Sequence, residues 1–162
     1  MKIKSNIQDL STDGIDNVLA IGKAGVLSFA HEKTPYAIPL AFFYGDKTIY
    51  LTLGATGRKM EYVHNNKNVV FTVFNISEGF GMPGKTGWNS VICEGVLENV
   101  RTPEELTKVV RAGEKHFGMP EGGWEPLLQM TLKDPAKSHF WKIRIISAGG
   151  RGVEDEMIEF EE

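Results

Sequence analysis

Alternating apolar and polar residues predict two adjacent strands within residues 35–53. Between them lies Gly45-Asp46, a dipeptide typical of a two-residue hairpin turn. Pairing outward from this turn brings apolar side chains together on one face: Phe42 with Ile49, Leu40 with Leu51, and Ile38 with Leu53. We expect this face in the core, and the opposite face, with mostly small or hydroxyl-bearing side chains, to suit a flat ligand. Because Pro39 cannot donate a backbone hydrogen bond, its strand is expected to be irregular or paired on one side only.

The same periodicity predicts four more strands. Residues 26–30 and 69–74 are short apolar runs, and the second is apolar enough to lie in the middle of a sheet. Residues 88–100 form a longer strand, in which Gly95 marks a bulge or the bend of a barrel. The last predicted strand covers residues 139–146.

Capping residues and helical spacing predict two helices outside the hairpin region. The first runs from about Thr12 to Gly22. The second begins at Thr102, followed by a proline and a capping-box glutamate, and ends near Phe117. Residues 118–138 are expected to be an irregular connection that contains three prolines.

Two stretches near the end of the chain are expected to lie outside the regular elements. The glycine-rich run 149–152 lacks the strand-to-helix setting of a phosphate loop and predicts a turn. The acidic tail from Glu154 predicts a solvated or frayed end. The chain is therefore expected to be one domain over residues 1–162, mainly β with short helices, folded as a closed or nearly closed β-barrel.

Composition excludes several classes of protein. The net charge of −3 argues against nucleic-acid binding, which requires a basic face. The single cysteine, Cys93, excludes an internal disulfide or a C-x-x-C motif, and its apolar strand predicts a buried structural thiol. The sequence contains neither a signal peptide nor an apolar run of bilayer length, so we expect a soluble cytoplasmic protein without a membrane partner.

A third helix is predicted directly after the hairpin, and its first turn carries the strongest chemical signal. The loop Gly54–Gly57 leads into Arg58 and Lys59, with Thr56 as the expected N-cap. Two cations at the positive end of a helix dipole favour a bound anion such as a phosphate. The alternative is an ordinary surface helix whose basic side chains point into water.

Other residues give no catalytic or metal-binding pattern. The four histidines, at positions 31, 64, 116 and 139, lack metal-ligand spacing and a triad partner, so we expect no metal and assign no catalytic residue. The glycine-rich loop 77–87 predicts either disorder or a flap over a site, since Phe80 and Met82 are unusual in a linker.

Taken together, several motifs resemble the flavin-binding split β-barrel proteins related to pyridoxamine 5′-phosphate oxidase. They are GVLSF, the hairpin PYAIPLAFFYGDKTIYL, the turn GRK that opens a helix, NNKNVVFTVF and WNSVICEGVLENV. The resemblance covers roughly residues 10–115 and is closest to the nitroimidazole-resistance-like and general-stress-like branches. It implies a homodimer that holds FMN at the subunit interface, and large aromatic residues in or beside loops also favour a shared surface.

The resemblance also implies which residues contact FMN. The isoalloxazine ring would lie against the backbone of Ile38, Pro39, Leu40, Leu51 and Thr52. Arg58 and Lys59 would hold the phosphate. Asn89, Ser90 and the partner subunit's Trp141 would approach the flavin, with a core or interface tryptophan as the alternative for Trp141 and for Trp88.

Two departures from the family pattern narrow the expected function. Nothing after Trp141 matches the arginine and histidine signature for a phosphorylated pyridine, so we do not expect oxidation of vitamin B6. Thr52 replaces a histidine that is typical of nitroimidazole-resistance proteins, which argues against their drug-reducing chemistry. The expected function is an FMN-dependent oxidoreductase acting on a small acceptor. The alternatives are a non-catalytic flavin carrier or stress-response binder, or the same fold with a deazaflavin or haem.

Overall fold

Eight strands and four helices build the structure, a computed structural model that describes residues 6–155 of the chain. The strands are β1 (Gln8–Asp9), β2 (Ala24–His31), β3 (Thr34–Ala41), β4 (Phe43–Gly45), β5 (Thr48–Thr52), β6 (Asn68–Ile76), β7 (Trp88–Asn99) and β8 (Phe140–Val153). The helices are α1 (Thr12–Ile21), α2 (Arg58–Asn65), α3 (Pro103–His116) and α4 (Glu125–Leu132). The described helices include none long and apolar enough to cross a bilayer.

The strands form one antiparallel sheet in the order β3-β2-β6-β7-β8-β5-β4, and β1 pairs with β8. Its two edge strands, β3 and β4, are consecutive in the chain and are separated only by Phe42. The sheet must therefore curl until its edges meet at this residue. Beyond it, β3 pairs with β2 while β5 pairs with β8, which leaves a split between β3 and β5. The predicted mainly-β split barrel is confirmed.

The hairpin turn lies one residue later in the chain than predicted, so the predicted register was wrong. Tyr44 pairs with Ile49 and Gly45 with Thr48, with Asp46 and Lys47 forming the turn at φ 49° and 55°. Two consecutive residues with positive φ are typical of a type I′ turn. Gly45 instead lies in β4, where a Cβ atom would come within 2.9 Å of the Cβ atom of Ala112 on α3.

Strand β3 does not continue the hairpin. Ile38 pairs with Leu27 and Leu40 pairs with Gly25, both on β2, rather than with Leu53 and Leu51 as predicted. The one-sided pairing predicted from Pro39 is confirmed, because β3 is an edge strand.

Two segments predicted to be irregular contain regular elements. Residues 118–138 contain α4, and Pro126 lies in its first turn, where a proline has no helical hydrogen bond to lose. Strand β8 continues through the glycine run to Val153 instead of turning at residue 149. A Cβ atom at Gly150 would lie 2.8 Å from Leu10 Cδ1, so glycine here lets the segment before α1 pack closely on the strand.

Other predictions from the pattern are confirmed. Helix α1 is capped by Ser11, and α3 by Thr102. Strand β6 lies inside the sheet, and the ladder between β7 and β8 shifts register at Glu94 and Gly95. Cys93 is buried in the barrel core, and burial raises the pKa of its thiol to about 11.

Candidate cofactor site

The loop 54–57 connects β5 to α2 and ends in an unusual N-cap. Gly57, with φ 100°, occupies the cap position predicted for Thr56, and no side chain of the described residues caps the helix. Positive φ explains the glycine, because this conformation is strained for other residues. The first backbone N–H groups of α2 therefore remain available to an anion.

Lys59 lies over this loop. Its Nζ atom donates a hydrogen bond of 2.8 Å to the carbonyl oxygen of Thr56. Cβ atoms built on Gly54 and Gly57 would lie 3.8 and 3.6 Å from the same Nζ atom. The ammonium group is thus held above a glycine-rich backbone, which is the setting expected for phosphate binding.

Arg58 packs on two aromatic rings. Its guanidinium carbon lies 4.6 Å from the ring centre of Tyr36 and 5.9 Å from that of Tyr62. These two rings stack on each other at 5.0 Å, and Phe29 packs beside them. Because Tyr36 belongs to β3 and Arg58 begins α2, this contact joins the two sides of the split. The exposed guanidinium is held against these rings by cation–π contacts.

The predicted ring-lining segments lie on either side of the split. On β3, Ile38 and Leu40 are half-buried and face the core, whereas Pro39 is exposed. On β5, Leu51 is buried and Thr52 is exposed. The structure therefore brings both segments to the same region as Arg58 and Lys59, although they do not pair with each other as the sequence predicted.

Asn89 and Ser90 lie elsewhere, at the beginning of β7. Asn89 pairs with Gly152, and its side-chain oxygen accepts a hydrogen bond of 3.2 Å from Asn75. The other end of β7, Asn99, pairs with the residue that neighbours Leu51 on β8. Ten residues of strand separate the two ends, about 33 Å. Within one subunit, Asn89 and Ser90 are therefore remote from Leu51 and Thr52.

Trp141 is the β8 residue between Leu51 and Asn99. Its side chain is 8% exposed and belongs to the core of its own subunit, as the alternative interpretation proposed. Its accessible edge lines two adjoining cavities of about 420 and 330 Å³. Trp88 is half-buried and packs near Phe74, with 6.1 Å between ring centres.

The family model described as pyridoxamine 5′-phosphate oxidase matches residues 11–152. The chain belongs to the pyridoxamine 5′-phosphate oxidase family. This membership confirms the resemblance inferred from the motifs. Among curated proteins, no sequence matches this chain.

Solved structures of other proteins show the same fold. A FAD-binding protein from Mesorhizobium loti has a TM-score of 0.64 at 24% identity, and the alignment covers 93% of this chain and 100% of that protein. A candidate 5-nitroimidazole antibiotic resistance protein from Bacteroides thetaiotaomicron has a TM-score of 0.69 at 19% identity, and the alignment covers 91% of this chain and 89% of that protein. General stress protein 26 from Bacillus anthracis has a TM-score of 0.52 at 18% identity, covering 83% and 88%. At these identities the likeness concerns the fold.

In this member of the pyridoxamine 5′-phosphate oxidase family, the loop 77–87 is anchored at its base. Ser77 N donates to the carbonyl oxygen of Gly87 at 2.8 Å. Asp155 accepts hydrogen bonds from Ser77 Oγ at 2.8 Å and from Gly87 N at 2.7 Å, and the Gly87 bond holds the pKa of this carboxyl below its ordinary value. Asp155 thus fixes the base of this loop by hydrogen bonds and is not part of a solvated tail. The rest of the predicted acidic tail lies outside the described residues.

Sequence reasoning missed the aromatic platform beneath Arg58. Tyr62 follows Arg58 by four residues, a spacing that places both side chains on one face of a helix. Tyr36 precedes Ile38 by two residues and so points to the same side of β3. The helical spacing could have identified Tyr62, whereas Tyr36 depends on a contact between two elements that the sequence does not pair.

Proposed function

We propose that this family member is a homodimer that binds FMN and transfers electrons or hydride to a small acceptor. The observation that carries the proposal is the cationic start of α2 at the mouth of the split. There, the first turn of one helix carries the Lys59 ammonium, the Arg58 guanidinium and uncapped backbone N–H groups, and a glycine-rich loop precedes it. Charged donors in this arrangement suit a phosphate dianion.

Bound FMN would supply the redox chemistry through its isoalloxazine ring, while the protein binds and orients it. Lys59 and the first N–H groups of α2 hold the phosphate in this proposal, and Arg58 contributes the charge of its guanidinium. Pro39 and Thr52, exposed on the two sides of the split, provide small surfaces against which a planar ring can lie and from which it excludes water.

A second copy of the chain is the proposed partner because the outer face of the sheet is apolar. Phe74 on β6 is 60% exposed, Ile92 on β7 51% and Ile146 on β8 65%. Cross-strand pairing places Thr72 between Val26 and Ile92, so the apolar surface continues across three strands. Exposed apolar patches of this kind are typical of protein interfaces.

An absorption spectrum of the purified protein, with mass analysis of what denaturation releases, tests the cofactor. We expect flavin bands and the mass of FMN. The variants Arg58→Ala and Lys59→Ala should each weaken FMN binding by about tenfold or more, since hydrogen bonds to charged groups contribute about 1.5–3 kcal/mol. The exposed Lys33→Ala variant, which removes one charge from the turn after β2, is the control.

Two results would contradict the proposal in different ways. A colourless protein that takes up no added FMN would remove the cofactor, and unchanged affinity in both variants would remove the phosphate assignment. Steady-state assays with reduced nicotinamide test the oxidoreductase step. A flavin-loaded protein that oxidises neither nicotinamide cofactor would favour a flavin carrier instead.

A further inference from the structure

Two adjoining cavities lie between α2, the end of β7 and the start of β8, with volumes of about 330 and 420 Å³. Both are lined by the same five residues: Met60, His64, Asn99, Arg101 and Trp141. We call this pair of cavities the Arg101 cleft. Ala55 lines the smaller cavity, so the cleft begins at the loop over which Lys59 lies. Its size is in the range of small-molecule sites.

Basic side chains outnumber acidic ones in the lining of the Arg101 cleft. Five exposed residues contribute them: His64, Lys67, Arg101, Lys137 and His139. The carboxylate of Glu98 also lines the larger cavity, but it is already paired, 2.8 Å from Arg144 Nε and 3.8 Å from Lys142 Nζ. Lys137 is likewise paired, 3.2 Å from Asp134, so Lys67 and Arg101 give the cleft its excess of positive charge in a chain of net charge −3.

Arg101 is positioned rather than free. Its Nε atom donates to the side-chain oxygen of Asn99. The Asn99 amide nitrogen in turn donates to the carbonyl oxygens of Ser138 and Phe140, each at 3.2 Å. These bonds orient the Asn99 oxygen toward Arg101. Within the described residues no carboxylate pairs with this guanidinium, so its terminal nitrogens remain available.

The floor of the cleft is apolar. Met60 is 9% exposed, and it adjoins both cavities together with the accessible edge of the Trp141 indole. An oriented guanidinium beside an apolar floor of this kind matches a ligand with a planar ring and a phosphate.

We propose that the Arg101 cleft binds the adenylate part of a dinucleotide. The base packs on Met60 and Trp141, and Arg101 binds the phosphate through its terminal nitrogens. FAD and a nicotinamide dinucleotide both carry this group. The inference rests on the proposed function in one respect: for FAD, the flavin-side phosphate is the one held near Lys59.

Titrations of the apoprotein with FMN, FAD, NADPH and AMP test the adenylate site, in the wild type and in Arg101→Ala. We expect wild-type protein to bind AMP and to bind FAD about tenfold or more tightly than FMN, or else to bind NADPH. Arg101→Ala should weaken the adenylate-containing ligands by about tenfold and leave FMN affinity unchanged. Lys108→Ala, which removes an exposed charge from α3 outside the cleft, is the matched control and should change nothing.

The titrations separate the source of the adenylate and separate this inference from the proposed function. A gain for FAD over FMN that is lost in Arg101→Ala identifies a flavin dinucleotide, and a loss confined to NADPH identifies the nicotinamide cofactor. If neither FMN nor FAD binds, but AMP binds and Arg101→Ala weakens it, the proposed function is overturned and the adenylate site is supported. This inference would be overturned if AMP does not bind, FMN and FAD bind with equal affinity, and Arg101→Ala has no effect on NADPH binding.

Discussion

His116 connects three parts of the fold through its imidazole ring. Its Nδ1 atom accepts a hydrogen bond of 3.1 Å from the backbone N–H of Tyr44 on β4. Because Nδ1 is the acceptor, Nε2 carries the proton and donates to the carbonyl oxygen of Gly22, 2.6 Å away at the end of α1. The ring is buried at the end of α3, and both of its partners are distant in sequence, so no local pattern predicts that this histidine joins a helix end to a strand.

The neutral form of His116 is therefore built into the folded state. Burial lowers the pKa of its imidazole below the ordinary value of about 6.5. The unfolded chain then binds a proton more readily than the folded chain, so the stabilisation is present above about pH 6.5 and is lost as the pH falls below it. The loss cannot exceed about 1.4 kcal/mol per pH unit for one proton.

We expect the free energy of unfolding to decrease between about pH 7.5 and 5.5, and to decrease less in His116→Asn. The variant should be less stable at neutral pH because it loses the bond to Gly22. Urea unfolding at several pH values measures both effects, with His31→Asn as the control for an exposed histidine. Parallel pH profiles for the wild type and His116→Asn would show that the neutral ring does not contribute.

At the scale of elements, the contact between β4 and α3 depends on the absence of a side chain at Gly45. A Cβ atom there would lie 2.9 Å from the Cβ atom of Ala112, closer than such atoms pack. We expect Gly45→Ala to reduce the free energy of unfolding by about 1–3 kcal/mol through overpacking. Urea unfolding checks the value, and Ala112→Gly in the same chain should recover part of it.

Gly14→Ala provides the matched comparison for Gly45→Ala. The nearest atoms to a Cβ atom at Gly14 lie at 3.4 Å, an ordinary contact distance, and the residue is in α1. Alanine is favoured over glycine in a helix by about 1 kcal/mol, so this variant should be neutral or more stable. Equal destabilisation by both substitutions would contradict the packing role assigned to Gly45.

The elements also show which parts of the fold can be predicted from sequence. Local signals sufficed for α1, α3 and the bulge at Gly95, because caps and strand periodicity act over a few residues. The hairpin register failed because Gly45 serves a contact with α3 rather than the turn. The predicted last strand ended too early because the glycines of β8 accommodate Leu10, which is distant in sequence. The cations of the candidate site were predicted, whereas the aromatic support of Arg58 needed the three-dimensional contact with β3.

For the whole molecule, the separation of the predicted site residues bears on the proposed dimer. Asn89 and Ser90 lie about 33 Å of strand away from the end of β7 that approaches Leu51. They also border the apolar outer face that carries Phe74 and Ile92. If these two residues approach a flavin held by Lys59, the subunit that supplies them is the partner, and each dimer contains two such composite sites.

Mixed dimers test this arrangement. One subunit carries Arg58→Ala and Lys59→Ala, and the other carries Asn89→Ala and Ser90→Ala. With composite sites, one of the two sites in a mixed dimer combines both sets of substitutions, and the other combines two unchanged halves. We expect mixed dimers, isolated through two different affinity tags, to bind FMN at half occupancy with wild-type affinity, although each parent homodimer binds it about tenfold or more weakly.

The same mixed dimers give a different result if each subunit builds its own site. Both sites then retain one defect, and the mixture binds no better than the two parents. A control for loss of structure is a mixed dimer in which one subunit carries Asn75→Ala and the other carries Arg58→Ala and Lys59→Ala. Asn75→Ala breaks the hydrogen bond to Asn89 but leaves the Asn89 side chain in place. Recovery of one strong site per mixed dimer requires a partner residue at the flavin, since no single-subunit site is intact in that molecule.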